Sequence, residues 1–134
     1  MRKDIIVLVA NSNDNILLLR RQTNKRFEPG KWELSSSLAQ ENNKPLEQQA
    51  KDNLMFDVGL HGTLLRKGRE YSVTIQDEDW TVHPFLFSCP QSVAAIRKTD
   101  HSECKWIPIS DLERYPLVEG LKKNLVCVGL LRSV

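Results

Sequence analysis

The chain has 134 residues, of which 40% are apolar and 27% charged, with a formal net charge of +2. That size and balance describe a single domain, residues 1–134, built around one core. Lys and Arg are scattered except for Arg20, Arg21, Lys25, Arg26 and Lys31. A balance this neutral argues against nucleic acid or a membrane surface as partner.

The three cysteines, Cys89, Cys104 and Cys127, are odd in number and lack metal-ligand spacing. They argue against a disulfide framework and for a reducing, cytoplasmic setting. The start, MRKDIIVLVANSND, has only six apolar residues before polar ones return. That is too short for a signal peptide or a membrane span, and reads as a first strand.

Asp4 to Ala10 is a continuous β-branched and apolar run, the pattern of a buried strand. The turn formers Asn11 to Asn15 lead into a second strand, Ile16 to Arg21, and the pair reads as a hairpin. A polar loop closes at Pro29-Gly30. Trp32 to Leu34 is a short extended piece, and Ser35 to Asn43 reads as irregular.

A helix is expected from about Lys44, with Asn43 as cap and Pro45 in the first turn. Leu46, Ala50 and Leu54 form its buried stripe, and Gly59 its left-handed end. Strands follow at Gly62–Leu65, Arg69–Ile75 and Trp80–Cys89. The last two flank a charged turn at Asp77, Glu78 and Asp79, and Pro84 marks an edge or a bulge. Pro90 to Ser102 reads as loop, Glu103 to Pro108 as a strand, and Ile109 to Arg114 as a helical turn capped by Ser110. A closing helix after Pro116 carries Leu117, Leu121, Leu125 and Val128. The order β-β-β-α-β-β-β-α predicts an α+β domain with a mixed sheet between helices.

The stretch KWELSSSLAQENNKPLEQQAKDNLMFDVGL, Lys31 to Leu60, carries the functional information. Together with LLLRR, PGKWEL, AKDNLMFDVGL and CKWIPISDL, in that order, it resembles the Nudix (MutT-like) hydrolase family over nearly the whole chain. The resemblance implies an α/β/α sandwich with a mixed central sheet. It also implies Mg²⁺ or Mn²⁺ as cofactor if the chain is active, and a nucleotide or other diphosphate-containing small molecule as partner. In such a box, glutamates three and four apart share one helix face and hold Mg²⁺ against a diphosphate.

Anchored on Gly59-Leu60, the box alanine is Ala50 and its hydrophobic position Leu54. Asp52 stands for the arginine, Asn53 for the first helical glutamate, and Phe56-Asp57 for the paired glutamates. A second register, anchored on Ser37, puts Lys51-Asp52 at Arg-Glu and Met55-Phe56 at the paired acids. Either way most of the acids are missing, so the resemblance implies a degenerate box. Its catalytic positions are Asp57, Asn53 and Asp52, and its candidate metal ligands are Asp57 with Glu41 from the loop. Glu33 is a further loop acid.

Arg21, Trp32, Ser36 and Ser37 are the candidate substrate-binding residues, Ser36 and Ser37 standing where the family has glycines. His61, His83 and His101 share no metal spacing and read as surface or strand decoration. Ser35–Ser37 offer no cysteine for isomerase chemistry. Three functions follow: a binding protein for a diphosphate-linked compound or a partner with weak or no hydrolysis; a divergent Mg²⁺-dependent pyrophosphohydrolase using Asp57 and loop acids; and a structural or homodimerisation module.

Overall fold

The computed structural model describes residues 3–41, 43–90 and 100–132. Its sheet is organised around β1 (Asp4–Ser12), whose apolar run is buried on both faces. Ile6, Leu8 and Ala10 point into one core cluster, and Val7 and Val9 into another. A strand covered on both faces reads as continuous rather than alternating hydrophobicity, as this one does.

β1 pairs in parallel with β7 (Glu78–Ser88) along most of its length, from Asp4↔Thr81 to Asn11↔Ser88. On its other edge it meets β2 (Asn15–Arg21) only at Asn11↔Ile16 and Ser12↔Asn15. The expected first hairpin is therefore present but short. The longer partner of β2 is β8 (His101–Pro108), paired antiparallel from Asn15↔Pro108 to Arg21↔His101. β3 (Trp32–Glu33) also lies on β2.

The edge of β1 that β2 leaves open, from Ile5 to Leu8, is filled by β4 (Ser35–Leu38). This corrects the expectation of an irregular segment there. Serine has little strand preference of its own, but an unsatisfied edge on a central strand outweighs propensity.

α1 (Leu46–Val58) begins later than expected, with Pro45 at its N-cap and no side-chain cap bond. Asn43 does not serve as the cap. Of the predicted stripe, Ala50 and Leu54 are buried with Phe85 and Phe87 in the first cluster, and Leu46 packs against it partly buried; Val58, not predicted, completes the seat. α2 (Leu121–Cys127) and a 3-10 helix at Ile109–Arg114 cover the other face, where Leu112, Leu121, Leu125 and Val128 are buried. The layers are thus helix, mixed sheet, helix.

β5 (Thr63–Lys67) and β6 (Tyr71–Ile75) share β7 as partner, one on each half. Pro84 is central rather than at an edge, opposite Val7. Its missing N–H falls where β5 has ended and β6 has not begun, and its carbonyl accepts from the Gly68 N–H at 2.7 Å. A proline is tolerated mid-sheet where no ladder bond is asked of its nitrogen. The β6–β7 turn has Gln76 and Asp77 at φ 51 and 63, the double left-handed conformation that suits a tight hairpin.

His83 also departs from expectation. It is buried, and its Nε2 lies 2.7 Å from Asp4 Oδ1, pinning the start of β1 to β7. Removing one member of a buried pair leaves the other desolvated.

Two stability predictions follow. Leu54→Ala should cost about 2–5 kcal/mol in urea unfolding, whereas Phe56→Ala, at a 66% exposed site, should change stability by less than about 0.5 kcal/mol. Asp4→Ala should cost about 3 kcal/mol, measured the same way; a neutral result would show that the His83 pair does not hold β1 in place.

Candidate functional site

The site forms where α1 ends beside the start of β4. Gly59 takes the left-handed conformation, φ 68 and ψ 25, and its N–H returns to Met55 O at 2.9 Å. That stop fixes the last helical turn, and with it Asp57, against the sheet. The Ser35 hydroxyl donates to Asp57 Oδ2 at 3.0 Å. One turn earlier, the Asn53 amide donates to the Ser37 hydroxyl. The alternation of β4 thus turns Ser35 and Ser37 toward the helix.

Asp57, Ser35 and Ser36 line a cavity of about 260 Å³ with Arg21, Lys25, Glu33, Asp100 and His101. Arg21 stands at the end of β2, and its guanidinium is divided between two tasks. Nε donates to Phe27 O at 3.0 Å, and Nη1 meets Glu33 Oε1 at 3.1 Å and Oε2 at 3.3 Å. These bonds leave the Nη2 edge for a ligand. Glu33 is also bound to His101 Nε2 at 2.7 Å, and Lys25 pairs with Asp100 at 3.5 Å. Two fixed cations therefore face three carboxylates around one small cavity, with imidazole and hydroxyl groups between them.

The residues expected from the sequence are only partly brought together. Asp57, Arg21 and Ser36 share the cavity. Ser37 and Asn53 lie beside it, bonded to each other. Asp52 is turned away: it is exposed and held by the Gln48 amide at 2.9 Å and Lys44 Nζ at 3.1 Å. These two hydrogen bonds, that of Gln48 foremost, lower its carboxyl below the usual range.

Trp32 is a core anchor. It is buried, packs edge-on to Tyr115 at 5.5 Å, and its backbone N–H donates to Pro116 O at 2.8 Å. Glu41 lines a different cavity, at the start of α1, so it does not meet Asp57 at the helix's other end. Phe56, at a box acid position, is 66% exposed. No cysteine lines the cavity, and burial pushes the Cys89 thiol up to about 11, where a nucleophilic thiolate is scarce at neutral pH.

Lys25, Ser35 and Asp100 carry no site signal in the sequence, and His101, expected to be surface or strand decoration, instead lines the cavity bound to Glu33. His101 is the informative miss. Its signal is the register of β8 on β2, which sets it opposite Arg21.

Mg²⁺ takes near-octahedral oxygen coordination through carboxylates, phosphate and water. Among the described residues, no group of three or more His, Cys, Asp or Glu side chains is arranged to hold a metal ion. Asp57 is the one box acid at the cavity, so the described donors do not fit a resident metal. Among the described residues, no helix is long and apolar enough to cross a membrane.

No family model matches the chain, and no curated protein matches it by sequence. Solved structures do. The MutT NUDIX hydrolase of Burkholderia pseudomallei superposes with a TM-score of 0.73 at 19% identity, covering 96% of this chain and 98% of that one. The NUDIX domain of Shewanella oneidensis NrtR, complexed with ADP ribose, gives a TM-score of 0.78 at 16% identity, covering 96% and 86%. A C. elegans Ap4A hydrolase, as a binary complex, gives 0.73 at 12% identity, covering 94% of each chain. With its helix-flanked mixed sheet and its box helix ending at Gly59, this chain has the Nudix fold.

Proposed function

We propose that this chain binds a nucleoside diphosphate-linked compound in the cavity at Asp57 and hydrolyses it weakly or not at all. The observation that carries this is the helix itself. Its glycine stop and its position on the sheet are kept, yet Asp57 is its single acid at the cavity, and that acid is bonded to Ser35.

The Nη2 edge of Arg21, the Lys25 ammonium, His101 and the Ser36 hydroxyl are the groups that would meet phosphate oxygens. Charge-assisted bonds of this kind are the strong ones, and an arginine fork suits phosphate geometry. Two structural neighbours support the ligand class: one is complexed with ADP ribose and another is an Ap4A hydrolase. Both compounds carry adenosine on a phosphoanhydride chain. Fold alone does not carry function; the cavity's cations and hydroxyls do.

A second reading is favoured by the acid count at the same place. Glu33, Asp57 and Asp100 all line this cavity, so a ligand arriving as its Mg²⁺ complex would meet carboxylates as well as cations. Under this reading the chain is a divergent Mg²⁺-dependent hydrolase. Turnover that Asp57→Ala abolishes would favour it over the first.

Two measurements test the proposal. ADP-ribose should raise the melting temperature of the wild type, and Lys25→Ala combined with His101→Ala should weaken its binding by about tenfold, about 1.4 kcal/mol. An unchanged affinity would remove both residues from the site. Restoring the box with Asn53→Glu, Phe56→Glu and Asp57→Glu should bring Mg²⁺-dependent release of product where the wild type stays below ~0.1 s⁻¹, under the range of ordinary enzymes. A variant that folds and binds but stays inert would show that the lost chemistry is not confined to the helix.

A further inference from the structure

The sheet is finished differently at its two ends. β3 is closed by a bridge from Trp32 to Leu117. β5, at the other end, pairs with β7 alone among the described strands. The N–H and C=O groups of its outer edge therefore meet no strand, which makes them a template for one. Every residue from Thr63 to Lys67 is exposed, and that includes two leucines, Leu64 at 37% and Leu65 at 52%.

This edge is held in place. Directly after it, the Gly68 N–H donates to Pro84 O at 2.7 Å and the Arg69 N–H to Cys127 O at 3.1 Å. Gly68 fits so closely that a Cβ there would fall 2.8 Å from Val128 Cγ1. A strand already set in its bound conformation lowers the ordering cost of a partner.

The edge is also uniformly basic. Among the described residues, no carboxylate pairs with Arg66, Lys67 or Arg69, whereas Lys3, Arg21, Lys44 and Lys122 each hold one. Glu70, the nearest acid in sequence, lies instead at 3.4 Å from the buried His83. The register on β7 sorts the side chains by face. Leu64 and Lys67 lie across from Phe87 and Phe85, on the α1 side. Arg66 lies across from Leu86, on the α2 side, with its guanidinium beside Gly129. Leu65 stands at the register shift between them.

We propose that the outer edge of β5 takes an extended acidic peptide as a further strand, with its backbone on the open ladder and two adjacent carboxylates on Arg66 and Lys67. Successive residues of a strand point to opposite faces, so neighbouring acids reach both cations. Apolar residues beside them meet Leu64 and Leu65. In such strand addition the main chain supplies affinity and the side chains specificity. Charge decides against a second copy of this chain, because two β5 edges laid together align like charges. Cations on an edge oppose self-pairing, and here they set the sign of the strand that can pair. Nucleic acid or anionic lipid would neutralise the cations but leave the backbone edge unmatched.

The test is fluorescence anisotropy of the full chain with a labelled, end-blocked peptide of Val and Thr carrying two adjacent central Glu. One control peptide has Lys in place of Glu. The other is the acidic peptide N-methylated at every residue, which keeps the charge but cannot donate to the ladder. The acidic peptide should bind about tenfold tighter than either control, and the double variant Arg66→Glu, Lys67→Glu should reverse the preference toward the Lys peptide. Lys67→Glu alone should weaken the acidic peptide severalfold, and it carries the test if the double variant does not fold. Equal binding of the methylated peptide would reduce the edge to an ionic patch and overturn the proposal. Unchanged affinity in the variants would overturn it too, as would no binding of the acidic peptide. A single-stranded oligonucleotide or an anionic vesicle that binds more tightly, and is lost in the same variants, would give the surface to that ligand instead. Self-association in sedimentation that the variants abolish would give it to a second copy.

Discussion

The double-sided burial of β1 is the constraint on which the rest depends. A strand with Ile6, Leu8 and Ala10 on one face and Val7 and Val9 on the other needs a helical layer on each side. It also needs partners on both edges. β7 satisfies one edge, while β2 and β4 divide the other. That division brings β4 beside the box helix, so the candidate site is a consequence of how the central strand is satisfied. The buried Asp4–His83 contact locks the parallel register at the strand's first residue.

Within that frame the helix is stopped by Gly59 and seated by Ala50, Leu54 and Val58. Its polar face toward the cavity carries a short network of serine and amide contacts, Ser35 to Asp57 and Asn53 to Ser37. Contacts of this kind fix backbone and side chains but bring no cluster of charge that would neutralise a metal. Apart from Asp57, the ionisable groups of the cavity come from the sheet and its loops: Arg21, Glu33, Lys25, Asp100 and His101.

The fold was legible in the sequence wherever burial patterned it. The strand at Asp4, the stripe on the helix, the glycine stop and the hairpin around Gln76-Asp77 each follow from local chemistry. What was not legible depends on pairing between distant segments. Ser35–Leu38 reads as loop because serine gives no strand signal, and only the open edge of β1 makes it one. Pro84 reads as an edge or bulge residue because the break between β5 and β6 that accommodates it is a property of the whole sheet. At the site, Arg21, Ser36 and Asp57 were named from the box and its lead-in. Glu41 and Asp57 could be paired only by their nearness to one motif, and a helix of 13 residues separates them. His101 reached the cavity through the register of β8 on β2, which no local pattern around it encodes. The loop expected between Pro90 and Ser102 lies largely outside the described residues, while its last two, His101 and Ser102, belong to β8.

The central claim is that the cavity at Asp57 holds a diphosphate-linked nucleotide without turning it over. The most direct measurement is ADP-ribose titrated into the full chain with Mg²⁺ present, with the mixture then assayed for released AMP. The account predicts saturable binding and ligand recovered intact, with turnover below ~0.1 s⁻¹. Steady release of AMP above that rate, lost in Asp57→Ala, would contradict it, and so would the absence of any binding.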